Sequence, residues 1–391
     1  MAVFDGEPFA LMVTAQTLFS DISNYSSVAT KQTTPPVVAH PLEQSGQATT
    51  ASEAQEDYTD TSEDDAGVRF ESIDASSSLS YHTTSSTTSI SSSIFEDQVV
   101  INGRTYQDAN GRYWAPIDDE ASEALEVLYI TSMLLLDGKL HLAPLEEHQV
   151  HNVLDIGTGT GMWAIDFADE YPEAKVIGTD ISPIQPTRVP PNLRFEIEDF
   201  TLDWTFHDDS ADFIHMRFLR GSVPDWHALY KNAFRATKPG GWIETHEDNP
   251  VFYTQDRPIE DGGAIAQWGK LFLDGSEKLG RTFTPIPDNL QVEGLKAAGF
   301  VDIHSQIYRV PIGKWPEDER LKKIGMMAEL GISVDVQGHI GFMAHLCGWT
   351  SKEITVYCNW FRDELRSLTA HAFYYQQIVW GRKPDKVEAS P

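Results

Sequence analysis

Between Asn152 and Asp248 the chain alternates short apolar runs with helical stretches, and this pattern restricts the possible folds more than any other feature of its 391 residues. The segments "NVLDIG", "AKVIGTDI", "LRFEIEDF", "ADFIHMRFL" and "GGWIETHED" read as strands, with helices over Gly161–Tyr171 and Trp226–Thr237. Strands joined through helices cannot pair as hairpins. They lie parallel, with the helices covering both faces of the sheet. The expected fold class is α/β, built on a doubly wound, Rossmann-like sheet.

Such a sheet binds ligands at the carboxyl ends of its strands, and the loop after "VLDI" is rich in glycine. Two registers compete within it. Gly157, Gly159 and Gly161 form G-x-G-x-G, whereas Gly159, Gly161 and Ala164 satisfy the dinucleotide pattern G-x-G-x-x-A. Taken alone, the loop is also compatible with a tight turn that binds nothing. Three acids favour a ligand smaller than a dinucleotide. Asp155 sits inside the strand just before the glycines, where a carboxylate is costly unless a cation or donor meets it; it would repel a pyrophosphate and attract an amino group. Asp180 ends the next strand, 19 residues after Gly161, where a carboxylate can accept both hydroxyls of a ribose. Asp199 ends "FEIEDF", placed to accept from an exocyclic amine such as that of adenine. An amino acid joined to adenosine, without phosphate, meets all three requirements.

That description fits S-adenosylmethionine. The stretches "VLDIGTGTGMWAIDFADEYPEAKVIGTDISPIQP", "PPNLRFEIEDF", "DFIHMRFLRGSVPDW" and "TKPGGWIETHE" together resemble the class I methyltransferases. The similarity is greatest to the fungal LaeA-like branch of secondary-metabolism regulators, and it extends from "GRTYQDANGRYWAPIDDE" to "HAFYYQQIVWGRKP". Thr237 departs from the pattern, standing where Leu is commoner before "KPGGW". The resemblance implies about seven strands, the last antiparallel. It also implies that Gly157, Thr158, Gly159 and Gly161 wrap the methionine moiety of S-adenosyl-L-methionine. Asp155 would then face its amino group, Asp180 its ribose, and Ile181 and Asp199 its adenine. Arg217 and Tyr113 are implied to line the site.

Beyond the strands, "EASEALEVLYITSMLLL" reads as a helix from Asp118 or Asp119 to about Leu136, and "LQVEGLKAAGF" as one closed by Gly299. Strands follow at Val301–Val310 and Phe373–Trp380. The stretch 315–370 between them has helical periodicity and contains Met326, Met327, Met343, Trp349 and Trp360. With Asn249–Pro287 and the helix before the glycine loop, it is expected to form a helical cap over the methyl-acceptor pocket; for each Met and Trp, plain core packing is the competing use. Transfer from an activated sulfonium depends chiefly on positioning, sometimes with a base. His246 in "ETHED" is the expected catalytic base, Glu244 and Glu247 are weaker candidates, and His215 is expected to have a structural or cofactor-side role.

Charge and composition exclude other classes. A formal net charge of -30 and a pI near 4.6 argue against direct nucleic-acid binding, which needs clustered Lys and Arg. Cys347 and Cys358 are too few for a disulfide framework or a cysteine zinc site, and no metal is expected. The start lacks the basic region of a leader, and no apolar run reaches membrane-spanning length. Residues 1–96 form an expected disordered tail: nine acids stand against Arg69 between Glu53 and Asp74, and 15 of the 24 residues from Glu71 to Ile94 are Ser or Thr. The methyltransferase domain would then occupy residues 97–391. The expected substrate is a small-molecule methyl acceptor; the alternative is a LaeA-like regulator acting through protein partners, to which the tail would lend itself. A cytoplasmic or nuclear location is expected, although "GRKP" is too short for a nuclear signal.

Overall fold

The computed structural model describes residues 98–146, 150–367 and 371–385; the expected tail over residues 1–96 lies outside them. A hairpin comes first, with β1 (Val99–Ile101) and β2 (Arg104–Tyr106) joined by Asn102 and Gly103, both at positive φ. Asn-Gly at such a turn matches the twist of the flanking strands. Helix α1 (Asp119–Leu135) follows, its N-terminus capped by the Asp118 carboxylate, which accepts from the Ala121 N–H at 3.2 Å.

The sheet is then laid down as β3 (Asn152–Ile156), α2 (Met162–Glu170), β4 (Lys175–Asp180), β5 (Leu193–Ile197), β6 (Ala211–Arg217), α3 (Trp226–Ala236) and β7 (Thr237–Asp248). Strands β5-β4-β3-β6-β7 pair in that order and all run parallel. After β8 (Tyr253–Thr254), α4 (Ala264–Leu279) and α5 (Leu290–Ala298) come β9 (Val301–Pro311) and, much later, β10 (Ala372–Arg382). β10 inserts antiparallel between β7 and β9. The expected antiparallel last strand is therefore present. Two-residue β8 pairs with the start of β10 and brings the sheet to eight strands.

Register divides the sheet into an apolar and a polar face. Leu154, Ile156, Ile214, Met216, Ile243 and Val379 share one buried cluster with α3 and α5. Between them alternate Asp155, His215, Arg217, Glu244, His246, Asp248 and Gln376, brought side by side by the pairs Asp155↔His215, His215↔Glu244, Arg217↔His246 and Gln376↔Asp248. Most of this polar row is fully buried, so each member requires a partner.

Three helices fill the stretch between β9 and β10: α6 (Glu319–Val334), α7 (Val336–Leu346) and α8 (Ser351–Ser367). Met343 is buried in a cluster shared with α4 and Met327 is also buried, while Met326 and Trp360 are exposed and Trp349 packs at that cluster's edge. These side chains therefore serve as core or surface. Arg104 on β2 ties the added helices to the rest. Its guanidinium donates to Asp118 at 2.5 and 2.8 Å and to Asp335, the N-cap of α7, at 2.5 and 2.8 Å. Burial acts to lower the pKa of Arg104, but the two carboxylates outweigh it and hold the pKa above its ordinary value.

Candidate functional site

A cleft opens at the carboxyl edge of the sheet, across the ends of β5, β4, β3 and β6, with a volume of about 890 Å³ counting its mouth. Its floor comprises Gly157, Thr158, Gly159 and Thr160 after β3, Asp180 and Ile181 after β4, and Asp199 and Phe200 after β5. Leu125 and Tyr129 of α1, with Arg112 and Tyr113 ahead of it, form the opposite wall. Arg217, Phe218, Leu219 and Ser222 close the β6 side. The expected Gly157, Thr158, Gly159, Asp180, Ile181 and Asp199 thus share one cleft, together with Arg217 and Tyr113.

All three loop glycines have positive φ, but the surroundings of their missing β-carbons differ. At Gly157 a β-carbon would lie 2.5 Å from Leu219, and at Gly161 2.3 Å from the Phe195 ring. At Gly159 it would meet only Leu125, at 3.9 Å. Gly157 and Gly161 are therefore required by packing, and Gly159 leaves open space beside the cleft for a ligand to approach the backbone. Gly161 itself does not line the cleft; it starts α2 in the left-handed conformation. Asp180 braces the loop by accepting from the Gly159 N–H at 2.8 Å and the Ser182 N–H at 2.9 Å. Burial pushes its pKa up to about 6. Asp199 accepts from the Thr201 N–H and hydroxyl, and its other oxygen lies 3.9 Å from Arg112. Each of these carboxylates retains acceptor capacity toward the cleft.

Asp155 lies buried beneath the glycine loop. Only 3% exposed and absent from the cleft wall, it accepts from the Thr158 hydroxyl at 2.5 Å and bonds His215 Nδ1 at 2.7 Å. The parity of β3 puts it on the same face of the sheet as its register neighbour His215, so it braces the loop from below. His215 stacks on Trp163 at 3.7 Å, and burial lowers its pKa to about 4 despite the carboxylate. It is a neutral, structural histidine.

His246 likewise lies outside the cleft, 2% exposed, with Nε2 bonded to Glu244 at 2.7 Å. Glu244 also accepts from the N–H groups of Leu142 and Ala143. Burial would raise its pKa, but His246 and these donors hold it below the usual range. The reason His246 does not reach the cleft is its position one strand removed, behind Arg217, with which it pairs. The third candidate, Glu247, is a brace: its carboxyl accepts from the Leu219 and Arg220 N–H groups at 2.9 and 3.1 Å, and burial pushes its pKa up to about 8.

Those bonds hold a strained turn. Phe218 has φ 57, a conformation that costs a bulky residue about 1–3 kcal/mol, and its N–H donates to the His246 carbonyl at 2.9 Å. No sequence signal marks Phe218, Leu219, Leu125 or Tyr129 as cleft residues. Arg217, just before the turn, lies over the Tyr129 ring at 4.9 Å and the Phe218 ring at 5.7 Å. Among the described residues, none hydrogen-bonds to or forms an ion pair with its guanidinium. Ser222 Oγ, buried in the same wall, has no hydrogen-bond partner among the described residues either.

Comparison with known proteins identifies the class. Residues 131–304 match the family model described as a methyltransferase domain. The chain is 34% identical over 311 residues to methyltransferase pytC of Aspergillus terreus, covering 78% of this chain and 94% of that one. It is 33% identical over 293 residues to the secondary metabolism regulator LAE1 of Cochliobolus heterostrophus, covering 73% and 94%. With the protein-methionine methyltransferase laeA of Emericella nidulans it shares 31% identity over 290 residues, 72% and 76% of the two chains. Among solved structures, phosphoethanolamine N-methyltransferase 2 of Haemonchus contortus, in complex with S-adenosyl-L-methionine, aligns at a TM-score of 0.39 and 16% identity over 67% of this chain and 52% of that one. The protein is a methyltransferase. It belongs to the family that includes pytC and the LaeA regulators. No helix among the described residues is long and apolar enough to cross a membrane.

Proposed function

We propose that the protein methylates a small-molecule acceptor in secondary metabolism, binding its donor along the floor of the cleft. The observation that carries this reading is the succession of Asp199, Asp180 and Gly159 at the ends of adjacent strands β5, β4 and β3, with Gly159 open toward the cleft. Asp199 would accept from the adenine amine beside Ile181, and Asp180 from the ribose hydroxyls. Gly157, Thr158 and Gly159 would pass their backbone along the methionine moiety. When bound, S-adenosylmethionine supplies a methyl group already activated on sulfonium sulfur. The chain's task is then to orient the acceptor and exclude water. Leu125, Tyr129, Phe218 and Leu219 give the cleft the apolar walls that suit a small organic molecule. The three helices between β9 and β10, with α4 and α1, are read as the cap, and the tail over residues 1–96 as a separate extension of the domain over 97–391. Since His246 is buried against Glu244, catalysis is assigned to positioning.

Regulation through protein partners, in the cytoplasm or the nucleus, is the second reading, favoured by the similarity to LAE1 and laeA. Incubation of the protein with methyl-labelled S-adenosylmethionine and fractionated fungal extract separates the two. Label in small molecules is expected; label confined to protein would favour the regulatory reading, and no transfer at all would overturn the enzymatic one.

A further inference from the structure

We infer that Arg217 takes the carboxylate of the donor's amino-acid end, and that Asp155 does not take its ammonium; this rests on the donor reading above. The strand order sets the geometry. With Asp199 on β5 and Asp180 on β4 holding the nucleoside, the thioether chain runs over the glycine loop of β3, and the next strand in line is β6. Arg217 is the last residue of β6 and lines the same cleft. The amino-acid end therefore arrives at a guanidinium.

The charges in and around the cleft support the same assignment. Asp155 has one oxygen on Thr158 and the other on His215, beneath the loop. Asp166, near Arg217 across the Tyr129 ring, is hydrogen-bonded by the Tyr129 hydroxyl. Arg112, the other cation in the wall, is paired with Asp108 at 2.6 Å. Arg217 remains, flanked by two aromatic faces, near enough to feel the charges of Asp155 and Asp166 but hydrogen-bonded to or ion-paired with no carboxylate among the described residues. A cation so enclosed gains most from a ligand that brings the anion, and the planar fork of guanidinium matches a carboxylate with two parallel bonds. Ser222 Oγ, unpartnered and 4% exposed in the same wall, offers a further donor.

Calorimetry on the full chain with three ligands tests this. S-adenosylhomocysteine carries both the ammonium and the carboxylate, its decarboxylated analogue only the ammonium, and 5′-methylthioadenosine neither. Arg217→Met should lower affinity for S-adenosylhomocysteine by about 30- to 300-fold, as expected for loss of one partner of a desolvated charge pair. The other two ligands should bind it as they bind the wild type, which also shows that the variant cleft is folded. Arg217→Lys should recover part of the loss. Asp155→Asn should shift all three ligands alike. Unchanged S-adenosylhomocysteine affinity in Arg217→Met, or an equal loss for 5′-methylthioadenosine, would overturn the assignment alone. Failure of the wild-type chain to bind any of the three would overturn the donor reading and the assignment with it.

Discussion

A β-carbon added at Gly159 would enter the cleft, whereas one added at Gly161 would collide with Phe195. Gly159→Val should therefore abolish measurable S-adenosylhomocysteine binding through blockage and the strain of φ 59, with a modest fall in melting temperature. Gly161→Val should chiefly destabilise the fold. Calorimetry and thermal melts on both variants check this, and retained binding in Gly159→Val would remove the donor from this loop. Asp180 adds a pH dependence. Its carboxyl is raised to about 6 by burial, and ribose hydroxyls donate more strongly to the ionised form. Affinity for S-adenosylhomocysteine should accordingly be flat above about pH 7 and fall below 6, by at most about tenfold per unit. Asp180→Asn should bind more weakly at neutral pH and lose that slope. His246→Ala should leave affinity unchanged and cost about 1–3 kcal/mol of stability, because it removes one of the three partners of the buried Glu244. Strand-end position made the cleft residues legible in the sequence. It could not separate Asp155 and His246 from them, since a strand reveals which residues share a face but not whether each meets ligand or protein. The partner that engages Asp155, His215, is 60 residues away.

At the level of elements, the strands and helices from α1 to β7 were legible to within a few residues because each βαβ unit buries its own apolar periodicity. The first hairpin was not anticipated, although Asn102-Gly103 is a strong turn signal; three-residue strands leave too little alternation to notice. The Met and Trp residues between β9 and β10 suggested a binding surface, but periodicity cannot distinguish a lined cavity from the filled core observed here. The join between β6 and β7 carries its own prediction. Glu247 is buried with a pKa of about 8, above the ordinary value near 4.5, so the native state holds its proton more tightly than the unfolded chain. Its ionisation should reduce stability as pH rises through that window, with full stability below it, at up to about 1.4 kcal/mol per unit. Glu247→Gln should flatten this decline in denaturant titrations between pH 5 and 8. A profile unchanged from wild type would show that the carboxyl is already ionised in the fold.

For the whole molecule, the parallel sheet and its antiparallel last strand were both readable, the first from alternation and the second through family resemblance. Removal of residues 1–96 should leave S-adenosylhomocysteine affinity within about twofold and the melting temperature nearly unchanged, since a segment so poor in apolar residues gains little from packing. A large drop would show that the apolar stretch from Phe4 to Phe19 seals part of the domain.

The position of β10 also has a temporal consequence. During synthesis β7 and β9 leave the ribosome well before the strand that separates them, and among the described residues β10 is the only strand that pairs with β9. A nascent chain halted after α8 would leave β7 with an open edge and β9 with no partner, templates for pairing with another chain. The ribosome must therefore release residues 372–382 before the sheet can close, and a chain ended just after α8 should aggregate where the full chain does not, a difference that light scattering would read.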